Sequence, residues 1–276
     1  MRLLILFLQR LAILGLGVLS VWLIVYVFGW VDRGLPSVLA LGLTYGLAAY
    51  VILPYAVRMG LKILRHTHVP RYTITGDGLP GDPVNLALIG TLDELRAAFA
   101  EAGWPEADPL GIASSWRMVR TFVLNQPYPT APFSTLYLFG RGQDIGFQLP
   151  IGDSPRKRHH VRFWAKSLSA AKTVDAAFWL NTDRPAKDER ALWVGAATKD
   201  TGLSLTRLTF QMTHATDADT NAERDFIMAS LRRTGAIGDV ALYEAGEELH
   251  AGKVNHYVTD GDVAVAALAP VVSASR

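Results

Sequence analysis

The chain of 276 residues contains no cysteine, which excludes thiolate metal sites and thiol catalysis. It has no internal repeat and no low-complexity tract. A P-loop, a dinucleotide-type Gly-rich turn, His-Glu-x-x-His and Gly-x-Ser-x-Gly are all missing, so no standard enzyme chemistry is advertised. Strong net charge is missing too, with 27 Lys and Arg against 25 Asp and Glu. Residues 1–71 hold seven of those basic side chains and one acid, which leaves 20 basic against 24 acidic residues in the remainder. A nucleic-acid binder shows a basic excess over its domain, so the reading is no nucleic acid.

Two stretches lack charge altogether. Leu11 to Val31, "LAILGLGVLSVWLIVYVFGWV", has 21 residues, and at about 1.5 Å per residue it matches the roughly 30 Å core of a bilayer. Val38 to Val57, "VLALGLTYGLAAYVILPYAV", is of similar length, and "DRGLPS" between them is a tight turn. The sequence therefore predicts a transmembrane helical hairpin over residues 1–65. A cleaved signal peptide fits less well, because the run is long and no Ala-x-Ala site follows; a buried core helix would show amphipathic spacing. Trp30, Tyr50 and Tyr55 lie near the ends, where interfacial aromatics belong. Arg2 and Arg10 precede the first span and Arg58, Lys62, Arg65 and Arg71 follow the second, against Arg33 alone in the loop. Both termini are expected to be cytoplasmic at a bacterial inner membrane.

Residues 66–83, rich in Gly and Pro, read as a linker, and 84–270 as one α+β domain with a mainly antiparallel or mixed sheet and at least two helices. "VNLALIG" (84–90) is a strand. Thr91 and Glu94 form a capping box for a helix over 92–102 that stops at Gly103, and Thr220 with Glu223 does the same for 221–234 before Gly235. "SSWRMVRTFV" suggests a short helix. "STLYLFG" and "QDIGFQL" suggest a hairpin turning at 141–142, and further strands are expected at 174–180, 191–198, 205–214, 239–243 and 256–268.

One cluster stands out against this balanced background: "SPRKRHHVRFW", residues 154–164. At a strand's period of two, Arg158, His160, Arg162 and Trp164 share one face and His159, Val161 and Phe163 the other. The basic face is either a solvated strand face or an anion pocket, in which Arg156, Arg158 and Arg162, with Arg141 from the preceding hairpin, present guanidinium forks to phosphate or carboxylate. His159 and His214 end apolar faces. Each is a core-edge histidine, a metal ligand with Asp200, Asp217 or Asp219, or an acid–base group with Asp225 or Glu223; His160 and Asp200 join that candidate catalytic set. No local ligand spacing supports a metal, so no metal and no other cofactor is assigned.

The blocks "DPVNLALIG", "AGWPEADPL", "YPTAPFSTLYLFGRGQDIGFQ", "SPRKRHHVRFW", "WVGAATKDTG" and "THATDADTNAERDF", in this order, resemble the LssY C-terminal-domain family over roughly residues 80–270. The resemblance implies a bacterial domain that sits behind membrane helices, alone or fused to DedA-like or type-2 phosphatidic-acid-phosphatase-like regions, and it carries over no catalytic residues. The phosphatase signature Arg-x5-His-x3-Asp is itself absent: six residues separate Arg207 from His214, and Ala218 stands at the acid position. Three functions stay open. One is a membrane-tethered module for a phosphorylated or anionic envelope ligand such as a phospholipid or polyprenyl phosphate. The second is a hydrolase acting on such a lipid with His and acidic residues. The third is a structural protein whose hairpin meets a membrane-protein partner.

Overall fold

The computed structural model describes residues 2–64, 69–124, 126–153, 156–168, 186, 188–205, 212–244 and 257–271. Helix α1 (Arg2–Val31) is followed by α2 (Ser37–Leu47), a π turn (Ala48–Ile52) and α3 (Leu53–Leu64), which together form a second long helix. The π turn ends two residues before Pro54. Proline has no N–H to give to the preceding turn, and a widened turn absorbs that loss without ending the helix. The stretches Arg10–Val31 and Ser37–Leu61 are long and apolar enough to cross a membrane. Their large apolar side chains, Leu14, Val18, Val25 and Val38 among them, face outward, while Ser20, Ala40, Thr44 and Ala49 are buried. Such small residues let two helices approach closely, and α1 packs along both α2 and α3.

Beyond the hairpin come β1 (Tyr72–Ile74), β2 (Pro80–Pro83), β3 (Leu86–Gly90), α4 (Leu92–Glu101), α5 (Ile112–Val123), β4 (Tyr137–Leu138), β5 (Arg141–Gly142), β6 (Ile145–Pro150), β7 (Arg158–Ser167), β8 (Ala191–Leu205), β9 (Met212–Thr216), α6 (Thr220–Arg233), β10 (Ala241–Glu244) and β11 (Asp262–Ala267). Among these, a small sheet has the order β2-β1-β4-β5. A large one runs β10-β11-β3-β8-β7-β6, with β9 also on β8. Among the described strand pairs only β11–β3 is parallel, so the fold is α+β with a mixed sheet behind two apolar helices.

The large sheet is the middle layer. On one face Phe147, Val161, Phe163, Trp193 and Ala197 pack with Leu95 and Phe99 of α4 and Ile227 and Leu231 of α6. On the other face Ala87, Trp164, Val194 and Ala196 pack with Leu136 and Leu138 of the small-sheet region. Gly195 lets the layers close, because a Cβ there would come within 2.5 Å of Leu86 and 2.8 Å of Phe163. Strand β8 changes partner halfway. Ala191–Gly195 pairs with β3 and Asp200–Leu205 with β9. Between them the Asn85 side chain accepts from Ala197 N (3.0 Å) and donates to Ala197 O (2.9 Å), continuing the ladder where β3 has not yet begun.

The small sheet meets the hairpin. A Cβ on Gly76 would lie 3.3 Å from Pro54, and one on Gly78 3.6 Å from Val57, so the β1–β2 turn rests on α3. Part of the expected linker, 72–83, is thus two strands of the fold. The turn expected at 141–142 instead falls at Phe139 and Gly140, both at positive φ, so that β4 pairs with β5 while β6 crosses to the large sheet. The expected strand over 205–214 starts in the end of β8 and finishes in β9; its middle, 206–211, and the expected strand 174–180 lie outside the described residues. Helix α4 has its capping box at Thr91 and Glu94. Helix α6 is capped by Asp219, whose carboxylate accepts from Ala222 N at 2.9 Å, so Glu223 has no capping role. Leu95, Phe99, Ile227 and Leu231 are buried, whereas Phe226 is exposed.

Candidate functional site

Strand alternation turns Gln148 of β6, Arg158, His160 and Arg162 of β7, and Thr198 and Asp200 of β8 to one face, and all six are buried. Arg158 stands directly opposite Asp200, and His160 opposite Thr198. Arg158 donates from Nε to Asp200 Oδ2 (2.8 Å) and from Nη1 to Gln148 Oε1 (2.5 Å) and Ala131 O (3.3 Å). Arg162 donates from Nη1 to Asp82 Oδ2 (2.6 Å) and to His160 Nε2 (2.7 Å). Tyr257 closes the set by donating to Asp82 Oδ1 (2.7 Å) and accepting from Thr216 (3.1 Å).

Phe133 roofs the network. Both guanidinium carbons lie under 5 Å from its ring centre, at 4.8 Å for Arg158 and 4.9 Å for Arg162, and the His160 ring is 5.3 Å away. Its seat exists because residue 146 is glycine; a Cβ there would collide with the Phe133 ring. Two guanidinium charges face two carboxylates, so the centre is electrically balanced. The anion expected to relieve the basic cluster is supplied by the chain itself, as Asp82 and Asp200.

The histidines take their tautomers from these partners. His160 Nε2 receives the Arg162 donor and also faces the Thr198 hydroxyl (3.0 Å), so its proton sits on Nδ1, 3.5 Å from Asp200. Burial, then Arg162 and Arg158, hold the His160 pKa well below the usual value. His214 Nε2 faces Arg158 Nη2 at 3.4 Å and its Nδ1 lies 3.5 Å from Asp200. Burial lowers its pKa, with Asp200 and the Arg156 backbone pulling the other way. Both rings are neutral at pH 7. His214 reaches solvent, with 23% of its side chain exposed, while Arg156 is half-buried and Lys157 exposed. Burial and Asp82 raise the Tyr257 phenol well above its normal range, so it remains a donor.

The other sequence candidates lie elsewhere. Arg141 is buried, pairs with Asp144 (2.9 Å) and donates to Ala165 O. Asp225 is exposed and bound to Arg224 (2.8 Å), not to a histidine. His159, on the opposite face of β7, pairs with buried Glu223 (2.7 Å) and stacks on Phe226 with ring centres 4.3 Å apart. Asp217 pairs with Lys199 and Asp219 caps α6. Among the described residues no group of three His, Asp or Glu is arranged to hold a metal ion.

Sequence reasoning missed Asp82, which fell in the supposed linker, and also Gln148, Thr198, Tyr257 and Phe133. The signal for two of them was present: Gln148 and Thr198 are single polar residues at inward parity within apolar strands.

An α+β domain with a sealed charge network, carried behind two apolar helices long enough to span a bilayer, is what the fold and site define. Residues 66–263, over two thirds of the chain, match the family described as LssY C-terminus, and the chain belongs to it. No curated protein and no solved structure matches the chain.

Two outcomes follow from this geometry. Arg158→Met, leaving Asp200 buried and unpaired, is expected to cost about 3–5 kcal/mol in chemical denaturation, and Asp200→Leu in the same background to recover a large part of it. Acidification should destabilise the protein. The folded state holds His160 and His214 neutral while the unfolded chain takes up their protons near the usual histidine pKa, so stability falls as pH drops below about 6.5. Melting curves between pH 7.5 and 5 check this, and His214→Asn should make the loss shallower.

Proposed function

We propose that this protein is a membrane-tethered domain that binds a phosphate-bearing, anionic envelope lipid at the mouth of the network, where His214 lies against the outer edge of Arg158 and where Arg156 and Lys157 lead into β7. The observation that carries the reading is the Arg158 Nη2 group, which points past the buried pair toward His214 at 3.4 Å, a member of the network with 23% of its side chain exposed. The inner edge of the guanidinium is consumed by Asp200, Gln148 and Ala131, so it is held rigid with Nη2 outward, a preorganised charge-assisted donor. The ligand classes are a phospholipid such as phosphatidic acid and a polyprenyl phosphate, both presented by the bilayer that the hairpin spans.

A second reading has its own observation. The Asp200 carboxylate lies beside His214 Nδ1 and leaves neutral Nε2 against Arg158 Nη2 (3.4 Å), so a phosphate that takes over that guanidinium edge would free Nε2 to act as a general base, and hydrolysis of the bound phosphate ester is the reaction it would serve.

In this reading the hairpin is a two-span inner-membrane anchor with both termini in the cytoplasm, on the strength of the Arg and Lys flanking its ends. A phosphatase reporter fused to the C-terminus of the full chain should be inactive in the periplasm; an active fusion overturns the topology.

The binding reading is tested on the full chain in nanodiscs by titrating phosphatidic acid, polyprenyl phosphate and inorganic phosphate. A bound anion raises the His214 pKa, so binding takes up a proton and should tighten as pH falls from 7.5 to 6. Arg156→Ala should weaken it about tenfold, roughly 1.4 kcal/mol, and His214→Asn should remove the pH dependence. No saturable binding of any of the three sinks the proposal. Release of inorganic phosphate that vanishes in His214→Asn would establish the second reading.

A further inference from the structure

Helix α5 is built the wrong way round for a water-soluble surface. Ile112, Trp116, Val119 and Val123 recur at the spacing that makes one helical stripe, and all four face outward: Ile112 is 94% exposed, Trp116 72% and Val123 70%. Leu110 before the helix and Leu124 after it extend the stripe and are exposed as well. The opposite side holds polar groups that are satisfied within the helix and its first turn. Thr121 is buried, and the Ser114 hydroxyl accepts from Gly111 N (2.9 Å) and donates to Pro109 O (2.7 Å). Arg120 borders the stripe, Arg117 lies further round the helix, and the helix contains no acid. Arg117 is partly tied down by Asp108 (3.9 Å) and lies over the Tyr128 ring (5.5 Å), which keeps it off the apolar face.

We infer that α5 is a membrane-interface helix, lying in the headgroup layer of the bilayer that the hairpin spans and drawn there by anionic phospholipid. An apolar stripe centred on tryptophan, edged by arginine and free of carboxylates is the composition that inserts about 5–10 Å into the acyl boundary. The same arginines would be repelled by nothing on an anionic leaflet and attracted by its surface potential. Continuity supports the same occupant. The chain leaves α5 and enters β4, a strand of the small sheet whose β1–β2 turn rests on Pro54 and Val57 of α3. Arg58 of α3 comes close enough to Tyr137 of β4 to oppose the upward pKa shift that burial gives that phenol. The domain is thus seated on the end of the spanning helix, and its apolar helix is tethered to the surface it would enter. This inference draws on the hairpin reading alone and not on the ligand site.

The absence of cysteine makes the test clean, because any cysteine introduced is the only thiol. Full-length Ile112→Cys and Val123→Cys, labelled with an environment-sensitive fluorophore, are placed in nanodiscs of phosphatidylcholine with increasing phosphatidylglycerol. Asp239→Cys, at a fully exposed position, is the water reference. Positions 112 and 123 should show blue-shifted emission, at least several-fold stronger quenching by lipids spin-labelled near the headgroup than position 239, and a response that grows with phosphatidylglycerol and shrinks in Arg117→Glu/Arg120→Glu. Water-like emission at both positions overturns the inference. So does a blue shift that spin-labelled lipid cannot quench, or one that appears only with two protein copies per disc, since a protein surface or a second copy would then be the occupant. Alkaline carbonate extraction of the same protein reports separately on the hairpin: release into the soluble fraction sinks the anchor reading and leaves the α5 result to stand on its own.

Discussion

A guanidinium group sealed under a sheet remains in the folded state only if its charge is met at hydrogen-bond distance, and two such groups, Arg158 and Arg162, lie side by side on β7. The architecture can be traced from that requirement. Asp200 must stand opposite Arg158, which fixes the register of β8 on β7; Asp82 must reach Arg162, which brings the first hairpin of the domain over the large sheet. Tyr257, held by Asp82, ties in the segment before β11. Phe133 can cover the pair because Gly146 leaves room for its ring. Breaking one partner of such a pair costs more than the pair itself contributes, so the network acts mainly as a specifier of arrangement.

The sequence was most readable where local rules act alone. Two charge-free runs of bilayer length, the Thr91–Glu94 capping box and the alternation along 158–164 each rest on a period or a spacing, and each corresponds to an element of the structure. It was least readable where meaning depends on a distant partner. The run 154–164 looks basic because its acids are far off in the chain, Asp82 80 positions from Arg162 and Asp200 42 positions from Arg158. Glu223 looked like a cap because Thr220 precedes it by three; the true cap, Asp219, leaves Glu223 to meet His159, a contact between a helix and a strand that no local pattern encodes. Arg141 sits near the cluster in sequence, yet the tight turn at Phe139 and Gly140 sends it to Asp144.

Between the network and the hairpin there is little intervening structure. Asp82 lies on β2, β2 pairs with β1, and the turn joining them touches α3 near the π turn. A displacement of the second apolar helix would therefore reach Arg162 through one short hairpin. Within that hairpin the connection is hydrogen-bonded, with Thr73 donating to the Asp82 carbonyl at 2.9 Å inside the sheet.

From Arg158 to Phe163, strand β7 turns Arg158, His160 and Arg162 to one face and Val161 and Phe163 to the other, with α4 and α6 packed on the apolar side and the small-sheet region on the polar side. Such a strand tolerates exchanges of side chain far better than changes of length. Losing or gaining a single residue between Arg158 and Trp164 would turn the guanidinium groups into the packed layer beneath α4 and drive Phe163 among the carboxylates, since the two faces trade places with each one-residue slip. Natural length variation in members of this family should consequently collect in the connections flanking β7, and the strand itself should pass through evolution as a block of fixed length.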